Sequence, residues 1–576
     1  MLLYTRGPAR GRERARAGAW LADHAWVVTA LLCAGWIAAG WRTPDLAAQA
    51  FRVDLFEREG FTLWNNAWYG GHHTVGYSLL FPPLAATAGL WVTGALSAVA
   101  ATALFQRLAG AHLPPAGARA GALLVSLASV ADLVIGRLTY SLGAAIALAA
   151  VLALDRRRPL LATALAVATT AASPVAGLFV AMAGVSIALA SLRRGSARDE
   201  DAGGGGRAET AHDNGAEAGG SQERRETRSR PGLAAAPAWH GLALAAGAFI
   251  PAVALTVAFP EGGRQPFWTV GFLVTLAAAL TVLALLPRGW RTVRTGATVY
   301  AVAVVAALLV DSPMGSNVSR LAVTFAAALL ACALPVLSGR RSTLATGAIL
   351  AFTVWMLWGP VREVAKVVDD PSTAAAYSAP LVEAVQARAQ GPVRVEVPFT
   401  RAHWVENHVA GELPLARGWV TQIDTRRNAL FRDDTPLTVP EYRAWLYDNG
   451  VAFVALPDVA LDPAGRQEAE LIESGVAPYL DEVWRNADWR LYAVEGSPGL
   501  ASGAATVTAL EAQAVTLEAR RRGDTLLRVR PSPYWRVTRG EATVAPAGDW
   551  LRVRAARPGT VRLEIRLLSG QAQGAG

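Results

Sequence analysis

Cysteine is nearly absent: the 576 residues contain two, Cys33 and Cys332. Both fall inside apolar stretches, so no disulfide is expected in the polar parts of the chain, which must be stabilised by apolar burial. Charge is also scarce, at 17% against 53% hydrophobic residues, and that balance excludes an ordinary soluble globule. The net charge is +9, but the excess arginines sit at the boundaries of apolar stretches, so no nucleic-acid partner is expected. Familiar catalytic signatures are missing. No G-x-S-x-G precedes a histidine, and Gly203–Gly206 lacks the Lys-Ser/Thr of a phosphate loop. His403, Glu406 and His408 have the spacing H-x-x-E-x-H, which fits neither zinc-hydrolase pattern.

Apolar length is what the chain has. Eleven apolar segments run near 21–41, 79–105, 119–134, 138–154, 160–173, 175–192, 239–259, 267–286, 295–310, 318–337 and 343–358, and segments of this kind cross bilayers. The first is too long, and too lacking in a small-residue cleavage site, for a removed signal peptide. Lys and Arg are retained on the cytoplasmic side. Arg6, Arg10, Arg12, Arg14 and Arg16 therefore place the N-terminus inside, and alternation puts Arg156-Arg157-Arg158, Arg193-Arg194, Arg288/Arg291/Arg294 and Arg340-Arg341 inside as well. An odd number of spans leaves everything after Pro360 outside. A re-entrant fifth and sixth pair would not change that side.

The composition divides the chain. Residues 1–20 form a basic cytoplasmic N-terminus, and 21–195 a first membrane half with an external loop at 42–78. Residues 196–236 form a cytoplasmic linker too poor in apolar residues to fold, and 237–360 a second membrane half. In 361–499, strand-like runs at 392–398 and 451–456 and helical runs at 439–448 and 466–474 predict an α/β module. In 500–570, period-two alternation at 514–519, 525–530, 534–538, 550–555 and 560–567, with turns at Gly523, Gly540 and Gly559, predicts a β-sandwich. Trp535 is expected in its core, with a glycan-stacking surface as the alternative. The whole reads as a polytopic α-helical plasma-membrane protein of about eleven spans, with an extracytoplasmic α/β module followed by a β-sandwich.

The loop 42–78 carries the most chemistry. It holds Asp45, Asp54, Trp64, Trp68, Tyr69, His72, His73 and Tyr77, more than a connection requires. Trp and Tyr stack on sugar faces, and carboxylates beside them can take a proton from an attacking hydroxyl. The plain alternative is an interfacial aromatic belt with solvated acids. If Asp45 starts a helix, Gln49 and Arg52 share its face and Asp54 points away.

Trp68-Tyr69-Gly70-Gly71-His72, Gly76-Tyr77-Ser78 with Pro82-Pro83, Gly136-Arg137-Leu138-Thr139-Tyr140 with Gly143, Ser173-Pro174 and Ser532-Pro533-Tyr534-Trp535-Arg536-Val537 resemble pieces of bacterial membrane proteins grouped around the C-type (GT-C) glycosyltransferases, including YfhO-like proteins. The layout is similar too: an acidic first external loop, many spans and an external C-terminal domain. The resemblance implies a polyprenyl-phosphate-linked sugar donor and an envelope glycan or lipid acceptor. It implies Asp45 as general base, with Asp54 a second candidate. A lipid-phosphate donor needs cations near the external face, where Arg137 and Arg320 are best placed, with snorkelling at a span end as the alternative. Trp68 and Tyr69 would contact the substrate, and His72 and His73 would bind its phosphate, with a metal or plain polar contacts as the alternatives. The loop lacks the adjacent Asp-Asp, Asp-Glu or Asp-X-Asp of the family, so no metal ligands are assigned and a divalent cation is the one cofactor left open. A transporter, flippase or non-catalytic assembly protein is the competing class. Most spans lack the internal charges that transport requires, with Asp132 the exception.

Overall fold

The computed structural model describes residues 20–21, 23–203, 236–432 and 435–567, with the backbone alone over 194–203. Helix α1 (Ala25–Ala39) is followed by α2 (Pro44–Glu59), bent from it by 84°, and by the short α3 (Phe81–Ala88). Then come α4 (Leu90–His112), α5 (Pro115–Ile135), α6 (Leu138–Asp155), α7 (Pro159–Ala172), α8 (Pro174–Gly203) and α9 (Ala238–Ala258). The last four are α10 (Thr269–Leu285), α11 (Arg291–Leu309), α12 (Ser319–Ala333) and α13 (Gly339–Val367). With α1, the ten helices α4 to α13 match the eleven expected segments. Among the described residues eight are long and apolar enough to cross a bilayer, or nine if α1 and α2 form one bent span. Helices α7 and α10, of 14 and 17 residues, are shorter. Prolines open α2, α5, α7 and α8, where the missing N–H costs nothing.

Two expectations change. The segment 79–105 is two helices, because Gly89 breaks it with an extended, positive-φ backbone (φ 88°) that ends α3 before α4 begins. The linker starts later than 196, since the backbone stays helical to Gly203; the rest of the expected linker, and nearly all of the basic N-terminus, lie outside the described residues.

Beyond α13 the polar chain forms the two expected modules. The first contains α14 (Ala375–Gln386), β3 (Arg394–Glu396), α15 (Val405–Ala410), α16 (Thr421–Arg427), α17 (Val439–Asn449), β4 (Val451–Pro457), α18 (Pro463–Glu473), β5 (Leu480–Arg485) and β6 (Trp489–Val494). Its sheet order is β3-β4-β6-β5, with β3 and β4 parallel and the other pairs antiparallel. A capping box of Thr438 and Glu441 starts α17. The second is a sandwich of two antiparallel four-stranded sheets, built from strands between Ala501 and Ile565. Trp535 is buried in its core, edge-on to Trp64 at 5.9 Å.

Trp64 comes from the loop 42–78, and this contact shows what that loop does. Its ribbon β1 (Trp64–Asn65) with β2 (His72–His73) plugs into the sandwich, where Asn66 donates to the Glu511 carbonyl at 2.8 Å. Trp68 stacks on Phe51 of α2 at 3.8 Å within the α/β module's core. Each buried aromatic contributes about 3 kcal/mol of transfer free energy, so the loop fastens both modules to the membrane helices.

Candidate functional site

The start of α2 is held from three sides. Thr43 donates its hydroxyl to the Val134 carbonyl at 2.7 Å, Trp404 donates to the Arg42 carbonyl at 2.8 Å, and Trp419 donates to the Pro44 carbonyl at 3.0 Å. Gly136, between α5 and α6, has φ 99°, and a Cβ there would lie 2.3 Å from the Leu46 nitrogen. Only glycine lets this corner approach so closely, and the approach sets Arg137 beside Asp45. Asp45 and Arg137 face one cavity of about 180 Å³ between the membrane helices and the α/β module.

Its membrane-side wall carries cations. Arg137 leads α6, and Arg362 and Lys366 come from the last turns of α13. Lys366 and Arg362 each approach Glu363 at 2.9 Å. Arg137 meets Asp132 at 3.4 Å, and Thr324 on α12 donates to the other Asp132 oxygen at 3.3 Å. Arg320, one turn before Thr324, lies over the Tyr140 ring at 5.6 Å and feels the charges of Asp45 and Asp132. The Nε–H groups of Arg137 and Arg320 are buried without a partner; such groups are rare in native folds and suit an anion.

The module-side wall is built by His403, Trp419 and Asp462. His403 stacks on Trp419 at 3.4 Å and lies 3.4 Å from Glu406 and 3.5 Å from Asp462. These separations are long for hydrogen bonds, so the acids act on it mainly through charge. Burial opposes the imidazolium, but Glu406 and Asp462 outweigh it and raise the His403 pKa. Of the cavity's carboxylates, Asp45 stands apart: it makes no hydrogen bond or ion pair with any described residue. Asp45 is half-buried at the edge of this polar cavity.

The structure therefore brings together Asp45, Arg137 and, within electrostatic reach, Arg320. The other expected site residues lie elsewhere. Asp54 is on the opposite face of α2, hydrogen-bonded to Asn407, with burial pushing its carboxyl up. Trp68 and Tyr69 are each 1% exposed, so neither ring can stack on a sugar; Trp68 donates to the Glu406 carbonyl at 3.0 Å, and Tyr69 to Gly418 and Val420. His72 is packed beside Trp68 and Tyr69, and burial pushes its pKa down to about 3. His73 meets Glu261 at 2.8 Å and Ser532 at 3.1 Å. Both histidines join domains and do not line the cavity. His408 faces the Thr373 carbonyl at 3.2 Å, away from His403's acids. Among the described residues no group of three or more His, Cys, Asp or Glu could hold a metal ion.

Lys366, Arg362, Trp419 and Asp462 were not anticipated, and His403 was noticed only for a zinc spacing that it does not fit. Lys366 had a signal: of 54 lysines and arginines it is the single lysine.

No protein-family model matches the sequence, and no curated protein matches it. The fold is similar to a crystal structure of ArnT from Cupriavidus metallidurans bound to undecaprenyl phosphate, at 14% identity and TM-score 0.41, covering 84% of this chain and 99% of that one. It is similar to the apo state of the same protein at 13% identity and TM-score 0.42, covering 83% and 98%.

Proposed function

We propose that this chain is a membrane glycosyltransferase of the GT-C type, moving a sugar from a polyprenyl-phosphate donor to an envelope glycan or lipid acceptor on the outer face. The observation that carries the proposal is the cavity itself, in which uncommitted Asp45 faces Arg137, Arg362 and Lys366. The cations bind and neutralise the lipid phosphate. Asp45 takes the acceptor hydroxyl's proton as the new glycosidic C–O bond forms, and the polyprenyl phosphate leaves with the electrons of the old one. Positioned base catalysis of this kind contributes about 10² to 10⁴ in rate.

Helix direction supports the external placement. Arg156-Arg157-Arg158 follow α6 at the end opposite Arg137, and Arg340-Arg341 open α13 at the end opposite Arg362 and Lys366. With arginine-rich ends inside, the cavity and both modules are outside.

A second reading, as a transporter, flippase or assembly protein, is favoured by Asp132, a buried acid in a membrane helix paired with Arg137 and Thr324. The donor site is tested at the phosphate contact. Arg320→Ala in nanodiscs should weaken undecaprenyl phosphate binding at least tenfold, by roughly 1.5 kcal/mol or more, while the single-turnover rate at saturating donor changes less. Unchanged binding in both Arg320→Ala and Arg137→Ala would remove the donor site.

A further inference from the structure

The cavity has two unlike walls. Every fixed cation from the membrane helices, Arg137, Arg362 and Lys366, lies on one side, and the α/β module supplies His403, Trp419 and Asp462 on the other. On the membrane side Arg137, Arg362 and Lys366 outnumber the carboxylates of Asp45 and Glu363, whereas the module side has the single carboxylate of Asp462 beside His403 and Trp419. A phosphate is therefore drawn to the membrane side, and the module side is left for the uncharged part of a substrate. Asp462 is built to stay ionised there. One of its oxygens caps α18 by accepting from the Ala464 amide at 2.9 Å, and the other is 3.5 Å from the His403 imidazole. Burial works to raise its pKa, but His403 overcomes this and holds it well below the usual carboxylate range. An ionised carboxylate is a pure acceptor, and its partners of choice are hydroxyl or N–H groups. His403 is held for the task at a cost. It has φ 57° without being glycine, a strained conformation of the kind that collects at functional sites, and Trp419 stacked on it is tied to the Pro44 carbonyl next to Asp45.

We propose that Asp462 is a specificity-determining residue that accepts hydrogen bonds from hydroxyls of the transferred sugar, with His403 as its positioning residue, so that the α/β module and not the membrane half reads the sugar. This rests on the polyprenyl-phosphate donor reading above. The acid lies 417 positions beyond Asp45 in the chain, and sequence reasoning about the first loop does not reach it.

The test uses the full-length protein in nanodiscs and thermal stabilisation by two kinds of probe. The first is undecaprenyl phosphate alone, and the second a panel of undecaprenyl-phosphate-linked glucose, mannose, galactose and arabinose. In the wild type the sugar-bearing lipid that stabilises most should bind at least tenfold tighter than the bare lipid phosphate. Asp462→Asn keeps the helix cap and should lose that tenfold increment while still binding undecaprenyl phosphate as the wild type does. His403→Asn, which suits the positive φ, should reduce the increment selectively; a merely structural role would weaken both probes alike. A full sugar increment in Asp462→Asn, or no increment from any sugar in the wild type, would overturn the proposal and leave the donor reading standing. Failure of undecaprenyl phosphate itself to bind the wild type would overturn both.

Discussion

Asp45 and Arg137 were legible as candidates because each is a charged residue placed at the end of an apolar segment, where charge is costly unless used. What placed them together was Gly136, whose lack of a side chain brings the α5–α6 corner against the start of α2; one sequence does not reveal that approach. Trp68, Tyr69, His72 and His73 were legible as unusual but not as buried, since an aromatic that stacks on a sugar and one that stacks on Phe51 look the same in sequence. Lys366 makes a specific prediction. Its compact ammonium lies 2.9 Å from Glu363, in a wall whose other cations are arginines. Lys366→Ala should weaken undecaprenyl phosphate binding about tenfold to a hundredfold, the loss expected for a charged contact. Lys366→Arg should recover only part of this, because a guanidinium does not reproduce the geometry. Wild-type affinity in Lys366→Ala, measured by titration in nanodiscs, would remove Lys366 from the site.

At the scale of elements, the period-two runs located five sandwich strands, with β9 (Ala514–Ala519) and β13 (Trp550–Ala555) at their expected bounds. Three strands were missed: β7 (Ala501–Gly503) is only three residues long, β8 (Ala505–Leu510) alternates mainly through alanine and threonine, and the solvent-facing β12 (Ala542–Ala547) has little apolar alternation to show. Trp535→Ala should cost the sandwich about 3 to 5 kcal/mol, read as a lowered unfolding midpoint of the full-length protein; an unchanged midpoint would contradict the core placement. In the α/β module, a buried cluster joins Arg417, Asp424, Glu396 and Glu468. Arg417 forks onto both Asp424 oxygens at 3.1 Å, and Tyr442 donates to Glu468 at 2.7 Å. Burial raises both glutamates, Glu468 to about 7, and Glu396 is pushed higher by its neighbour. An acid whose folded pKa is raised binds its proton more tightly when folded, so its contribution is present at low pH and lost as pH rises. His403, also raised, has the same sign, but its contribution is lost only above the ordinary histidine range. The stabilisation that Glu468 contributes should therefore be lost between about pH 4.5 and pH 7, and Glu468→Gln should remove that part of the pH dependence. An identical slope in the variant would show that Glu468 does not titrate there.

At the scale of the molecule, the eleven apolar segments and the two polar modules could all be read from hydropathy and periodicity, because lipid and water impose those patterns directly. The seating of the modules on the membrane helices could not be read, since it depends on Trp64 and Trp68 entering separate cores hundreds of residues away in sequence. The topology gives its own check: a reporter fused after Ser497 should read as outside the cytoplasm, and a cytoplasmic signal would invert the account. The central claim, that this is a glycosyltransferase driven by Asp45, is tested most directly by release of undecaprenyl phosphate from undecaprenyl-phosphate-linked sugars by purified protein in nanodiscs with extracted envelope acceptor. The account predicts sugar-dependent release by the wild type, a drop of about 10² or more in Asp45→Asn with donor binding intact, and near-normal turnover in Asp54→Asn. Wild-type turnover in Asp45→Asn would contradict it.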